Sequence, residues 1–259
     1  MLTFLRKVRK SLIETGSIRR YLLYATGEVL LVMVGILLAL QINNWNEWRK
    51  DRLLEDQYYC RLLEDVEQDK IQLEEFLKKS MDRLKASNEA VRLLQQQKVL
   101  KEEIGIQMSL SIRGVFADFV PNNSAFEDLK SGANLNVIRD KNIIKALNKY
   151  YNRIREYSSV AKVNADISLD RFRLHKDRFA TGWVHATMNT NRFIDGMEPE
   201  VYEAMKVDKT EHLSNEIQFH LYNDALINVS SNSRRIELFG FIMNEIEELL
   251  KLLLDRCPE

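Results

Sequence analysis

The chain has 259 residues, with 38 basic and 38 acidic side chains and only nine Gly and three Pro. So few turn formers argue against a sheet protein with many tight turns, and long Leu/Glu/Lys/Gln stretches favour an all-α fold. Residues 1–47 hold six basic against three acidic side chains, a net of +3 that leaves −3 for the remaining 212 residues. The larger part therefore lacks the basic excess that nucleic-acid binding requires, and no nucleic-acid partner is expected.

Residues 1–20 form a basic segment in which Leu5, Val8 and Leu12 share one helical face. That pattern suits a short amphipathic helix on the anionic inner leaflet; a frayed basic tail that only sets topology is the alternative. From Tyr21 to Ile42 the only strongly ionisable side chain is Glu28. These 22 residues make roughly 33 Å of helix, enough to cross a bilayer, so a transmembrane helix in contact with membrane lipid is predicted over 21–42. Tyr21 and Tyr24 at one end and Trp45 and Trp48 at the other fit membrane-interface belts. Lys and Arg dominate before the span and mix with acids after it, which places the N-terminus in the cytoplasm and residues 43–259 outside. A cleaved signal peptide fits less well, because the basic stretch is long and Leu38-Ala39-Leu40 offers no small-x-small cleavage site.

Within the span, Ala25, Glu28, Val32, Gly35, Ala39 and Ile42 recur at three- and four-residue spacing and share one stripe. Its small residues, Gly35 and Ala39 above all, would let a second helix approach closely. Glu28 on that stripe has three readings. It sits at the inner interface and snorkels toward Arg19 or Arg20, it packs against another helix, or it lines a conducting path in a homo-oligomer. Gln41, Asn43, Asn44 and Asn46 gather at the outer exit, either solvated at the headgroups or hydrogen-bonding between copies.

The run GEVLLVMVGILLALQINNWNEWRK, preceded by its short basic stretch, resembles the opening of an uncharacterised family of single-pass membrane proteins found in Bacteroidetes-type bacteria. The likeness continues into FVPNNSAFEDLKSGANLNVIRDKNIIKALNKYY (Phe119–Tyr151). It implies a Gram-negative inner membrane with a periplasmic C-terminal domain, and it implies no activity.

Beyond the span, no Gly or Pro occurs from Trp48 to Gln97, which predicts one long helix with coiled-coil-like periodicity. Its apolar side carries Tyr59, Leu62, Val66, Leu73, Phe76, Leu77, Leu84, Val91 and Leu94. A shorter apolar segment over Glu102–Phe116 is interrupted by Gly105 and Gly114. Ser124 with Glu127 predicts a capping box for a short helix ending near Gly132. Asp140 caps the next helix, expected to run to about Trp183; 187–199 reads as loop, and a last helix runs from about Glu211 to Leu254. An elongated helical bundle is the expected architecture. Cys60 and Cys257 pair as a disulfide only if the last helix runs back toward the start of the long one, and region 98–140 leaves that direction open.

Enzymatic signatures do not emerge. His212, Glu216 and His220 fall on one helical face if the helix begins at Glu211, but the outer two are then about 12 Å apart, too far to share an ion. The carboxylates alternate with Lys and Arg as on a solvated helix face, so no catalytic, cofactor or metal site is assigned. The expected role is non-catalytic, structural or interaction-based, with a homo-oligomer or an envelope protein as partner. A ligand-sensing module and a homo-oligomeric channel are the alternatives.

Overall fold

The structure is a computed structural model that describes residues 18–132, 134–175, 198–204 and 212–257. The predicted face of Leu5, Val8 and Leu12, the helix extension to Trp183 and most of the loop 187–199 lie outside the described residues. Contacts divide the chain into two units, Met1–Gln57 and Tyr58–Glu259. Helix α1 (Ile18–Leu94, 77 residues) contributes to both. In the first unit its most apolar 18-residue window has a mean hydropathy of 2.2, and none of it is buried. This helix is long and apolar enough to cross a membrane.

The second unit is all-helical among the described residues: α2 (Lys101–Ile112), α3 (Ser124–Ser131), a 3-10 turn (Asn134–Asn136), α4 (Lys141–His175), α5 (Pro199–Ala204) and α6 (Asn215–Leu254). α1 enters it with a buried stripe at strict four- and three-residue spacing: Leu62, Val66, Asp69, Leu73, then Ser80, Arg83, Ser87, Ala90 and Leu94. Half-buried Phe76 fills the one gap in that series. Helix α6 answers with Leu221, Ala225, Asn228, Asn232, Arg235, Phe239, Ile242, Ile246, Leu249 and Leu253 on the same rhythm. Such spacing keeps one face of a helix against its neighbour over many turns. Both stripes are apolar at their ends and polar in the middle.

Several boundaries differ from expectation for local reasons. α1 ends at Leu94, where the Gln218 side chain from α6 donates to the carbonyls of Leu94 and Gln96 at 2.8 Å each. Gly105 does not interrupt α2 but lies buried within it; the break comes at Gly114, whose φ of 65° suits glycine. Asp140 caps α4 as predicted, its carboxylate accepting from the Asn142 amide at 3.0 Å. Pro199 opens α5 rather than ending a loop, since its missing N–H costs nothing in a first turn. α6 begins at Asn215, capped by Ser214, because Leu100 and His212 form a β-bridge instead.

The contacts fix direction. α6 meets α1 at Ser87 through Asn232 and at Leu94 through Gln218, and Cys257 just past its end meets Cys60, so the two run antiparallel. α4 also runs opposite to α6, through Lys149 to Glu245 and Ser168 to Ser231. The segment between α1 and α4 therefore carries the chain back along α1, and Asn134 near its end bonds Tyr58 at 3.1 Å. This places Cys257 beside Cys60, and the two are bonded with a Cα separation of 4.9 Å. Arg256 next to it bridges to Asp140 at the start of α4 at 2.9 Å.

A bond between residues 197 positions apart removes much chain entropy from the unfolded state. Reduction, or Cys60→Ser with Cys257→Ser, is expected to cost about 2–4 kcal/mol and to lower Tm by roughly 5–15 °C. Thermal melts with thiol titration check this; an unchanged Tm in fully reduced protein contradicts it.

Candidate functional site

Two carboxylates one turn apart on α1 hold the segment that opens α3. Asp69 is fully buried and accepts three hydrogen bonds: from the Asn122 amide at 2.7 Å, the Asn122 side chain at 2.9 Å and the Tyr150 hydroxyl at 2.7 Å. Asp65 accepts from the Ala125 amide at 3.0 Å and from the Ser124 hydroxyl at 3.3 Å. Arg61, one turn earlier, pairs with Asp128 at 2.6 Å. The expected capping box at Ser124 does not form. Ser124 is the first helical residue, and the carboxylate at the helix start comes from α1 instead. Tyr151 adds a bond to the Asn122 carbonyl at 2.9 Å, and its ring stacks on Phe126 with centroids 4.8 Å apart.

Burial pushes the Asp69 carboxyl up to about 6, while the donors Asn122 and Tyr150 pull the other way. Burial first and the Asp69 charge second raise the Tyr150 hydroxyl, so it remains a donor.

A belt of buried polar side chains crosses the middle of the bundle. Asn232 on α6 accepts from Arg83 at 3.1 Å and donates to Ser87 at 3.1 Å and to the Ser111 carbonyl at 2.9 Å. Asn228 donates to the Ser111 hydroxyl at 2.9 Å, and Ser168 donates to Ser231 at 3.0 Å. Arg83 also donates to the Arg113 carbonyl at 3.3 Å and to Ser80 at 2.7 Å. Arg235 donates to the carbonyls of Ala117 at 3.0 Å and Ala161 at 3.4 Å. Both arginines are at most 4% exposed. Asp118, 3.9 Å from Arg235, is the only carboxylate within ion-pair distance of either guanidinium among the described residues. Burial first and the Arg235 charge second lower Arg83 to about 10, so it stays cationic at neutral pH.

Against this belt lies a cleft of about 910 Å³ between α1, α2 and the turn after α2. Arg83 lines it together with Phe76, Ala86, Leu110 and Ala117. Toward one end of the belt, His175 at the end of α4 bonds through Nδ1 to buried Asp224, and its ring stacks on His220 with centroids 5.7 Å apart. The pair ties the end of α4 to α6.

The residues singled out from sequence fall in two places. Glu28, Val32, Gly35 and Ala39 are exposed on α1, Ala25 is half-exposed, and no side chain lies within 4 Å of a Cβ placed on Gly35. Tyr24 is half-buried and Trp45 and Trp48 are exposed; the Tyr21 side chain is outside the described residues. Asn43 of the amide cluster donates to Glu47 at 3.0 Å within its own helix. His212 is not on α6, so the His212/Glu216/His220 face does not exist. Among the described residues no three His, Cys, Asp or Glu side chains gather as a metal set.

Asp69, Ser80, Arg83, Ser87, Asn228, Asn232 and Arg235 were not singled out, although a signal existed. Each occupies a position where the apolar stripe demands a buried side chain.

The model of a family described as a family of unknown function (DUF6090) matches residues 28–168, which include most of the exposed apolar segment, Asp65, Asp69 and the segment they hold. No curated protein matches the chain, and no solved structure does.

The Asp69 carboxyl binds a proton more readily in the fold than in the unfolded chain, whose value is 3.8. Its contribution to stability is therefore fully present below about pH 4 and lost as the pH rises through about 6. Asp69→Asn removes that component. Its stability relative to wild type is expected to climb by on the order of 3 kcal/mol between pH 4 and 6 and then level off. Denaturant melts across that range read the difference; parallel profiles contradict it. Tyr150→Phe deprives the buried carboxylate of a donor and is expected to lower stability by about 1–2 kcal/mol in the same melts.

Proposed function

The chain belongs to DUF6090, and from that premise we propose a membrane-anchored, non-catalytic helical bundle with a structural or protein-interaction role in the bacterial envelope. Residues 1–20 are cytoplasmic, 21–42 cross the inner membrane, and 43–259 form a periplasmic domain. The observation that carries this reading is the exposed apolar window of α1, with mean hydropathy 2.2 and no burial. An apolar surface of that length needs lipid or protein around it.

Two further features support the direction. Six Lys and Arg precede the span within twenty residues, whereas acids and bases mix after it. The Cys60–Cys257 bond is of the kind that persists in oxidising compartments. A scaffold role is supported by how the buried polar groups are used. Asp69, Arg83, Asn232 and Arg235 spend their hydrogen bonds holding elements of the fold together. The stripe of Glu28, Gly35 and Ala39 is exposed and open to a second copy or an envelope protein. The cleft beside Arg83 favours the ligand-sensing alternative, whereas a channel lined by Ala25, Glu28 and Gly35 requires several copies.

Fusions to the C-terminus test the placement. Alkaline phosphatase is expected to be active and green fluorescent protein dark; the reverse pair contradicts the topology. In vivo crosslinking from positions 32 and 39, followed by mass spectrometry, is expected to recover a second copy or one envelope protein. Crosslinks to lipid alone contradict the packing role of the stripe.

A further inference from the structure

We propose that the cleft beside Arg83 binds a small amphipathic anion, with a carboxylate or phosphate head on the guanidinium and an apolar body against Phe76, Ala86 and Leu110. The inference goes beyond the scaffold reading and does not rest on it.

The first argument is an unbalanced charge. Arg83 is 4% exposed and Arg235 2%, and the field of the second cation acts on the first, offset in part by the neighbouring Asp82 charge. Asp118 at 3.9 Å from Arg235 is the only carboxylate within ion-pair distance of either among the described residues. Two cations held away from water favour an anion wherever one can reach them. Arg83 borders the cleft, so an anion can reach it there.

The second argument is donor geometry. A guanidinium carries five N–H groups. Arg83 spends Nε on Asn232, one Nη1 hydrogen on the Arg113 carbonyl and one Nη2 hydrogen on Ser80. One hydrogen remains on each terminal nitrogen, donors open to a carboxylate or phosphate oxygen. The three bonds already made lock the guanidinium in place, so little entropy is lost when it accepts a ligand.

The third argument is the lining. The rim adds Lys79, Lys85 and Arg113 against Asp82 and Glu89; Glu89 is itself paired with Arg92 at 2.5 Å and Lys79 with Glu75 at 3.3 Å. Phe76, Ala86, Leu110 and Ala117 supply apolar wall beside Arg83. A volume of about 910 Å³ lies in the range of small-molecule sites, and an apolar wall with a few convergent polar groups is their usual composition. A bare inorganic anion would leave those walls wet; an anion with a short hydrocarbon body covers them.

The test uses the full chain in lipid nanodiscs and isothermal titration, with empty nanodiscs subtracted. Hexanoate and hexyl phosphate are the probes, and acetate, inorganic phosphate, hexanol and hexylammonium are the controls. Saturable binding of hexanoate, hexyl phosphate or both is expected, at least about tenfold tighter than any control. Hexanoate alone points to a free carboxylate ligand, and hexyl phosphate alone to a phosphate-headed one such as a lipid fragment. Leu110→Trp fills the cleft and Arg83→Lys removes the guanidinium donors; each is expected to weaken binding about tenfold or more. Lys85→Glu reverses an exposed rim charge without touching the belt and is expected to weaken it severalfold. Hexanol binding as well as hexanoate overturns the proposal, as does binding unaltered in a Leu110→Trp protein of unchanged Tm. Absence of saturable binding by both tailed anions, or equal binding by acetate and phosphate, also overturns it.

Discussion

Asp65 and Asp69 are the constraint on which the arrangement of the larger unit depends. After α1 the chain must choose whether to continue away from the start of that helix or return along it. Carboxylates one turn apart on α1 draw the segment Asn122–Ala125 back by accepting two backbone amides and two side-chain donors. With the segment returned, α4 starts near the Tyr58–Cys60 stretch of α1 and runs parallel to the part of α1 that follows. α6 then runs antiparallel to both, and its C-terminus arrives at Cys60. Arg256 closes the same end onto Asp140, the residue that caps α4. The disulfide thus locks a topology that hydrogen bonds to two acids specify.

The same returning segment builds the cleft. Arg113, Gly114 and Ala117 line it, and the carbonyls of Arg113 and Ala117 take bonds from Arg83 and Arg235. The belt therefore resembles the polar layers that fix register in heptad-packed helices at a cost in stability. Apolar ends supply most of the burial. One end is the cluster of Leu94, Val99, Ile104, Met108, Phe172 and Leu221; the other includes Leu62, Val66, Leu147, Ile246 and Leu253. A slip of α6 by one heptad would put Ala225 or Phe239 opposite Arg83 and Ser87 in place of Asn232.

Much of the helical layout was legible because it is written in local pattern. α1 as a single helix, the Asp140 cap and the end of α6 at Leu254 all follow from spacing and end signals within a few residues. What escaped depends on partners far along the chain. Ser124 and Glu127 have capping-box spacing, yet Asp65, some sixty positions earlier, takes that role. His212 has helical spacing to His220, but a bridge to Leu100 holds it outside the helix. Asp69 and Arg83 sit at buried positions of a clear heptad stripe. Reading only the apolar members of that stripe hid them, because nothing within their own helix reveals that Asn122 and Asn232 will meet them. The direction of the last helix was likewise open until the return segment decided it.

Hydrogen exchange on the full chain in detergent, read at the amides of Asn122 and Ala125, tests the central claim most directly. Those two amides are donated to Asp69 and Asp65. They are predicted to exchange as slowly as the helical amides around Tyr150 on α4, and to be released together in Asp69→Ala. Exchange at the rate of an unstructured loop in the native protein would contradict the account, because the carboxylates would then not be what returns the chain.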